Sequence, residues 1–200
     1  MKGLLLKDWY MTVKYWRITL LISGLFLVLS AIKAGNSFFT FYPCAMMSML
    51  PASLLSYDDR EKWTDHVQTL PVSRRDYVTG KYLFGVLAIA AYLLVLTLLY
   101  LVLCPAWLPD ALLFSVFIGT LVPALTLPFL FRFGSEKGRI VYLLTIGAVF
   151  GILAASSLSD NGTPLRHFAS LPTWSVPPAS LLIYALSWRI SLRMFEKRMA

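Results

Sequence analysis

The chain consists of long apolar stretches separated by short polar connections. Six stretches carry almost no charge: 18–32, 38–55, 82–103, 111–131, 140–158 and 174–190. Several approach the roughly 20 residues that an α-helix needs to cross a hydrocarbon core of about 30 Å. They are continuously apolar rather than alternating, which favours helices over a transmembrane barrel. The pattern predicts an all-α integral membrane protein with six transmembrane helices, forming a single domain over residues 1–200.

Composition supports a membrane location. Hydrophobic residues make up 58% of the chain, charged residues only 14%, and the mean hydropathy is +0.69. Soluble domains carry about 25% charged residues. The bilayer is therefore the first expected partner of this chain.

The cations predict how the chain is oriented. With the N-terminus inside, 16 of the 18 lysines and arginines fall in inner segments, and the outer connections hold only Lys33 and Arg166. This asymmetry places both termini in the cytoplasm. The net charge of +8 then follows from topology and contact with anionic lipid. No basic stripe interleaved with stacking aromatics stands apart from the membrane flanks, so no nucleic-acid partner is expected.

The N-terminal segment, residues 1–17, has an amphipathic pattern. Leu5, Trp9, Val13 and Trp16 recur at helical spacing, while the lysines fall elsewhere on the helical wheel. One interpretation is an interfacial helix lying in the headgroup plane. The other is a helical extension of the first span, and the pattern leaves both open.

A charged segment, residues 57–82, separates the second and third apolar stretches and holds ten of the 28 charged residues. Trp63, Val67 and Leu70 are spaced as one face of a short helix, which Pro71 would end. Ser73, with Asp76 three residues later, forms a capping-box pattern that would start a helix running into the third span. Alternatively, the segment is a solvated loop whose charges keep it out of lipid.

Enzyme chemistry has little support in this sequence. No G-x-x-x-x-G-K-[ST] phosphate-binding loop occurs, so ATP hydrolysis by that route is excluded. His66 and His167 are predicted on opposite sides and no H-E-x-x-H pair exists, so no metal site is expected. No span has an interior carboxylate or histidine, which disfavours both ion-driven transport and a catalytic base. We expect no catalytic residues and no cofactor in this chain.

Small residues mark one face of the fifth predicted helix. Gly147, Gly151 and Ala155 recur every four residues and would allow another helix to approach closely. The neighbouring helix could belong to this chain or to a second subunit.

Several tracts carry a family resemblance. They are Tyr57-Asp58-Asp59 through Lys62-Trp63, Thr69-Leu70-Pro71-Val72-Ser73-Arg74, Gly80-Lys81-Tyr82, and the opening Met1-Lys2-Gly3-Leu4-Leu5-Leu6-Lys7-Asp8. Together they resemble the small ABC-2 type transporter permeases of bacteria. The likeness covers the length, the order of six spans and the inward termini, and its specific motifs lie in roughly the first 85 residues. The pair Asp58-Asp59 followed by Arg60 departs from the pattern, and the resemblance identifies no particular ATPase.

The resemblance implies a permease subunit of an exporter in the bacterial plasma membrane. It implies a second membrane subunit, identical or related, and separate ATPase subunits that would bind ATP and Mg²⁺. Residues 57–81 would be the cytoplasmic coupling loop. The side chains expected to contact the ATPase are Trp63, Val67, Leu70, Pro71, Ser73, Arg74 and Arg75. The apolar spans suggest an amphipathic or hydrophobic cargo such as a peptide. The alternative is a non-transporting membrane protein for peptide sensing, immunity or scaffolding.

The predicted orientation can be tested with reporter fusions. A reporter that is active only in the cytoplasm should be active within the charged segment and at the C-terminus. It should be inactive at the connection containing Lys33, which is the matched outer site. An inactive cytoplasmic reporter in the charged segment would contradict the orientation.

Overall fold

The computed structural model describes residues 2–32, 37–61, 63, 73–103, 108–158 and 176–198. Within these ranges every regular element is an α-helix and no strand occurs. The all-helical class expected from the continuous apolar stretches is confirmed.

Six helices follow one another in the described ranges. They are α1 (Lys2–Tyr15), α2 (Arg17–Ile32), α3 (Ser37–Arg60), α4 (Arg74–Leu103), α5 (Leu108–Leu158) and α6 (Val176–Arg198). Helices α2, α3, α4 and α6 each correspond to one apolar stretch, and α5 contains two of them. The main packing partners of α5 are α6 and α3.

Two helical segments are long and apolar enough to cross a membrane, namely Arg75–Leu103 and Ser115–Gly134. A third is added if α1 and α2, which are bent by 76° at their junction, count as one broken span. These numbers concern the described ranges alone. Membrane character is therefore supported by the structure, while the six crossings stay a prediction.

Helix α5 changes direction at Gly134. This glycine has φ 79° and ψ 179°, a combination that is essentially restricted to glycine. The break separates an arm over residues 108–133 from one over residues 135–158. It falls between the two apolar stretches of α5, as expected for a turn that joins two spans.

Hydroxyl groups hold α4, α5 and α6 together. The Tyr82 hydroxyl lies 2.8 Å from Ser187 Oγ and 2.7 Å from Ser191 Oγ. Ser187 Oγ donates to the Ala124 carbonyl at 2.6 Å, and the Tyr184 hydroxyl donates to the Tyr82 carbonyl at 2.9 Å. Hydrogen bonds of this kind fix helix contacts in lipid, where the apolar surfaces alone give little preference.

The small-residue face of α5 is open at Gly147 and Gly151 as far as the described residues are concerned. A Cβ built at either position would meet no atom within 4 Å in the described part of the chain. The side chain of Ala155 lies outside the described residues. Whether a helix of this chain or of a second subunit packs against this face stays a prediction.

Replacing Gly134 by alanine should destabilise the protein, because a Cβ is strained at this φ and ψ. The expected loss is about 1–3 kcal/mol in the free energy of unfolding. Gly24→Ala is the matched control, since Gly24 lies inside α2 and has no atom within 4 Å of a built Cβ. Denaturation of both variants in detergent micelles checks this, and equal stability would show that the break at Gly134 is not strained.

Candidate functional site

Four charged side chains from three helices form a closed ring of ion pairs. Lys81 Nζ on α4 lies 2.7 Å from Asp8 Oδ1 on α1 and 2.8 Å from Asp58 Oδ2 near the end of α3. Lys7 Nζ on α1 lies 2.5 Å from Asp58 Oδ1 and 3.9 Å from Asp8 Oδ1. We call Lys7, Asp8, Asp58 and Lys81 the ion ring. It joins α1 to the end of α3 at Asp58 and to the start of α4 at Lys81. We call these two helix ends, which flank the charged segment, its stems.

Most of the ion ring is buried. Asp58 is 0% exposed, Lys81 2% and Asp8 3%, while Lys7 is half-buried. A buried charge without a partner is very unfavourable, because it loses its hydration. In the ring each carboxylate faces two ammonium groups and the formal charges cancel. The three helices must therefore stay in register for any of these charges to remain buried.

The local sequence explains how the four side chains meet. Tyr77 and Lys81 lie one helical turn apart and share a face of α4. Helix α4 begins directly after Ser73, whose Oγ accepts the backbone N–H of Asp76 at 3.1 Å. This confirms the predicted N-cap. On α1, Asp8 and Thr12 form the buried face, again at a spacing of one turn.

Tyr77 links the ion ring to the aromatic core. Its hydroxyl donates to Asp58 Oδ2 at 2.9 Å. Its ring lies 5.7 Å from Phe195 of α6 in a stacked arrangement and 6.4 Å from Phe131 of α5 in an edge arrangement. The ion ring is therefore in contact, through one side chain, with the helices that form the rest of the bundle.

Burial also affects the protonation of the two ring members on α1, which precedes the first predicted span. Desolvation raises the pKa of the Asp8 carboxyl, while the nearby Lys81 opposes that shift. Desolvation lowers the pKa of the Lys7 ammonium, and the neighbouring Lys81 lowers it further, while Asp58 opposes the shift. The ion pairs thus offset part of the cost of burying these charges.

The residues predicted to share the apolar face of the N-terminal helix differ in burial in the structure. Trp9 is 59% exposed and Val13 is also exposed, so both point away from the helical bundle. Trp16 lies at the bend between α1 and α2 and is buried with Leu50 and Leu54. The 76° bend shows that α1 is not a straight extension of α2.

The structure describes only some of the residues predicted to contact the ATPase. Trp63 packs against the core and its ring centroid lies 4.4 Å from Lys7 Nζ. Ser73 caps α4 and Arg75 is exposed in its first turn. Three residues, Val67, Leu70 and Pro71, lie outside the described residues, as does the side chain of Arg74.

The structure corrects the interpretation of two charges in the charged segment. Asp58 and Lys81 were expected at a surface for docking or solvation, but both are buried in the ion ring. Asp58 looks solvated in sequence because Asp59, Arg60 and Glu61 follow it, and Lys81 looks solvated because it belongs to the charged segment. One signal was available for three of the four: Lys7, Asp8 and Lys81 lie in the tracts that carry the family resemblance. Asp58 belongs to the pair that departs from the family pattern.

No metal-binding cluster of three or more His, Cys, Asp or Glu occurs among the residues that the structure describes. The ion ring contains two carboxylates, and both already form ion pairs with lysines. The arrangement is suited to holding helices together rather than to binding a cation.

Comparison with known proteins gives one family match. The family model described as ABC-2 family transporter protein matches residues 3–196. Neither the curated proteins nor the solved structures contain a match to this chain.

Removing one charge from the ion ring should be strongly destabilising. Asp58→Asn would leave Lys7 and Lys81 with one carboxylate between them, at a cost of about 3–5 kcal/mol in the free energy of unfolding. Glu61→Gln is the matched control, because Glu61 is exposed three residues further on and should change stability by less than about 0.5 kcal/mol. Unfolding in detergent micelles checks both values. Similar stability of the two variants would contradict the role of the ring.

Proposed function

The chain belongs to the ABC-2 family of transporter proteins, and from that premise we propose that it is the membrane-spanning permease subunit of a bacterial ABC exporter. Separate ATPase subunits would bind ATP and Mg²⁺ and supply the energy. The absence of a phosphate-binding loop in this chain supports that division of labour.

The ion ring is the observation that carries the proposal beyond family membership. It joins the two stems of the charged segment, at Asp58 and Lys81, to α1 at Asp8. A displacement of the charged segment would therefore move α1, α3 and α4 together, because separating them would expose or isolate buried charges. Tyr77 extends the connection to α5 and α6. Helices that are joined in this way would move as one unit, which is suited to transmitting motion from a docked ATPase.

The proposed arrangement in the membrane has six spans, both termini in the cytoplasm and α1 at the inner surface. The distribution of lysine and arginine supports the orientation. The sharp bend after α1 and the outward-facing Trp9 and Val13 support a helix lying against lipid. In this arrangement the charged segment faces the cytoplasm, where an ATPase could reach it.

A second permease subunit, identical or related, would complete the translocation path. The open face at Gly147 and Gly151 is available for a helix from outside this chain. An amphipathic or hydrophobic cargo, such as a peptide, fits the apolar character of the spans. The location of the complete exporter would be the bacterial plasma membrane.

The ATPase contact is best tested at Leu70. Trp63 packs against the core and Lys7, so its substitution would disturb the ion ring as well as any docking surface. Leu70→Glu should weaken capture of the partner ATPase by roughly tenfold or more, as expected for removal of an apolar anchor. Pull-down with the purified partner ATPase checks this.

The matched control is Arg193→Glu, which changes an exposed charge on α6, also on the predicted inner side. This variant should bind the ATPase as the unchanged protein does. Undiminished capture of the ATPase by Leu70→Glu, together with normal transport, would show that the charged segment is not the ATPase contact.

A further inference from the structure

A groove lies between α1 and the residues that follow α3. Tyr10, Lys14 and Tyr15 line it from α1, and Glu61 and Trp63 line it from the other side. It is an open groove with a volume of about 440 Å³. Its lining combines aromatic with charged side chains, which suits a ligand that is partly apolar and partly charged; the aromatic ones are Tyr10, Tyr15 and Trp63, and the charged ones are Lys7, Lys14 and Glu61.

Among the lysines that the structure describes, Lys14 is the one that the groove can offer to a ligand. The other lysine in the groove, Lys7, has its ammonium 2.5 Å from Asp58 in the ion ring and 4.4 Å from the Trp63 ring centroid. Lys14 is exposed and lies 5.2 Å from the centroid of Tyr15. It makes no ion pair with any residue that the structure describes.

Exposed apolar side chains occur in the groove and at the start of the next helix. On α1, Tyr10 is 66% exposed, and on α2, Ile18 is 72% and Leu21 70% exposed. Tyrosines beside lysine are typical of the membrane interface, where the ring contacts lipid and the polar end contacts water. A ligand with an anionic head and an apolar tail could contact both the groove and the exposed apolar side chains of α2. Free phosphate would contact only the groove.

We propose that this groove binds the headgroup of an anionic phospholipid, with the phosphate beside Lys14 and the acyl chains along the exposed face of α2. The inference rests on the proposed placement of α1 at the membrane surface, but it requires neither transport nor an ATPase. Glu61 on the opposite side would repel the phosphate and weaken the binding that Lys14 provides.

Native mass spectrometry of the purified full-length chain tests the proposal. The chain is mixed with phosphatidylglycerol or phosphatidylcholine carrying identical acyl chains, and the lipid retained is counted. Phosphatidylglycerol should be retained in preference. Lys14→Gln should weaken that retention about fivefold, as expected for one lysine near an anionic surface. Glu61→Gln should strengthen it.

Two variants serve as controls. Lys14→Arg keeps the charge and should keep the preference. Arg193→Gln removes an exposed cation that does not line the groove, and retention should not change. Glycerol phosphate, which carries the phosphate without acyl chains, should not compete at the concentration at which phosphatidylglycerol binds.

Four results would overturn the proposal. Equal retention of both lipids would show that the groove does not select the anionic headgroup. Unchanged retention of phosphatidylglycerol by Lys14→Gln would show that Lys14 does not bind the phosphate. Competition by glycerol phosphate would indicate a site for soluble phosphate. Loss of ATPase capture by Lys14→Gln with unchanged lipid retention would make the groove a protein interface. The lipid measurements contain no ATPase, so they can fail or succeed independently of the Leu70→Glu experiment.

Discussion

Four mutually compensating charges at the junction of α1, α3 and α4 set the constraint on which the rest of the structure depends. Asp8, Asp58 and Lys81 are buried, and none could remain so if its partners moved away. Buried ion pairs often add little net stability over well-packed apolar residues. Their effect here is geometric, because they define where the N-terminal helix sits relative to both ends of the charged segment.

The remaining contacts extend this constraint through the bundle. Tyr77 connects the ion ring to aromatic rings on α5 and α6, and the hydroxyl contacts of Tyr82 with Ser187 and Ser191 bind α4 to α6 further along. Both sets of contacts are made by α4, which also contains the most apolar candidate span. In the mechanism that we propose, helix α4 is the element through which motion at the charged segment reaches the membrane part of the protein.

Local features of this fold could be predicted from sequence, and long-range features could not. The helices follow from continuous apolar stretches, and the Ser73 cap follows from a spacing of three residues. The Asp8–Lys81 pair joins residues 73 positions apart, and no local pattern specifies such a contact. Asp58 appeared solvated because charged residues follow it directly, and Lys81 because it belongs to the charged segment. In the fold both are paired with residues of α1.

The most direct test of the account is the coupling between Asp8 and Lys81. A double-mutant cycle with Asp8→Asn, Lys81→Met and the combined variant, measured by unfolding in detergent micelles, isolates the interaction of the pair. The account predicts a favourable coupling free energy of about 1–3 kcal/mol, with the double variant less destabilised than the sum of the single variants. A coupling free energy indistinguishable from zero would contradict the claim that the ion ring holds α1 to the stems of the charged segment.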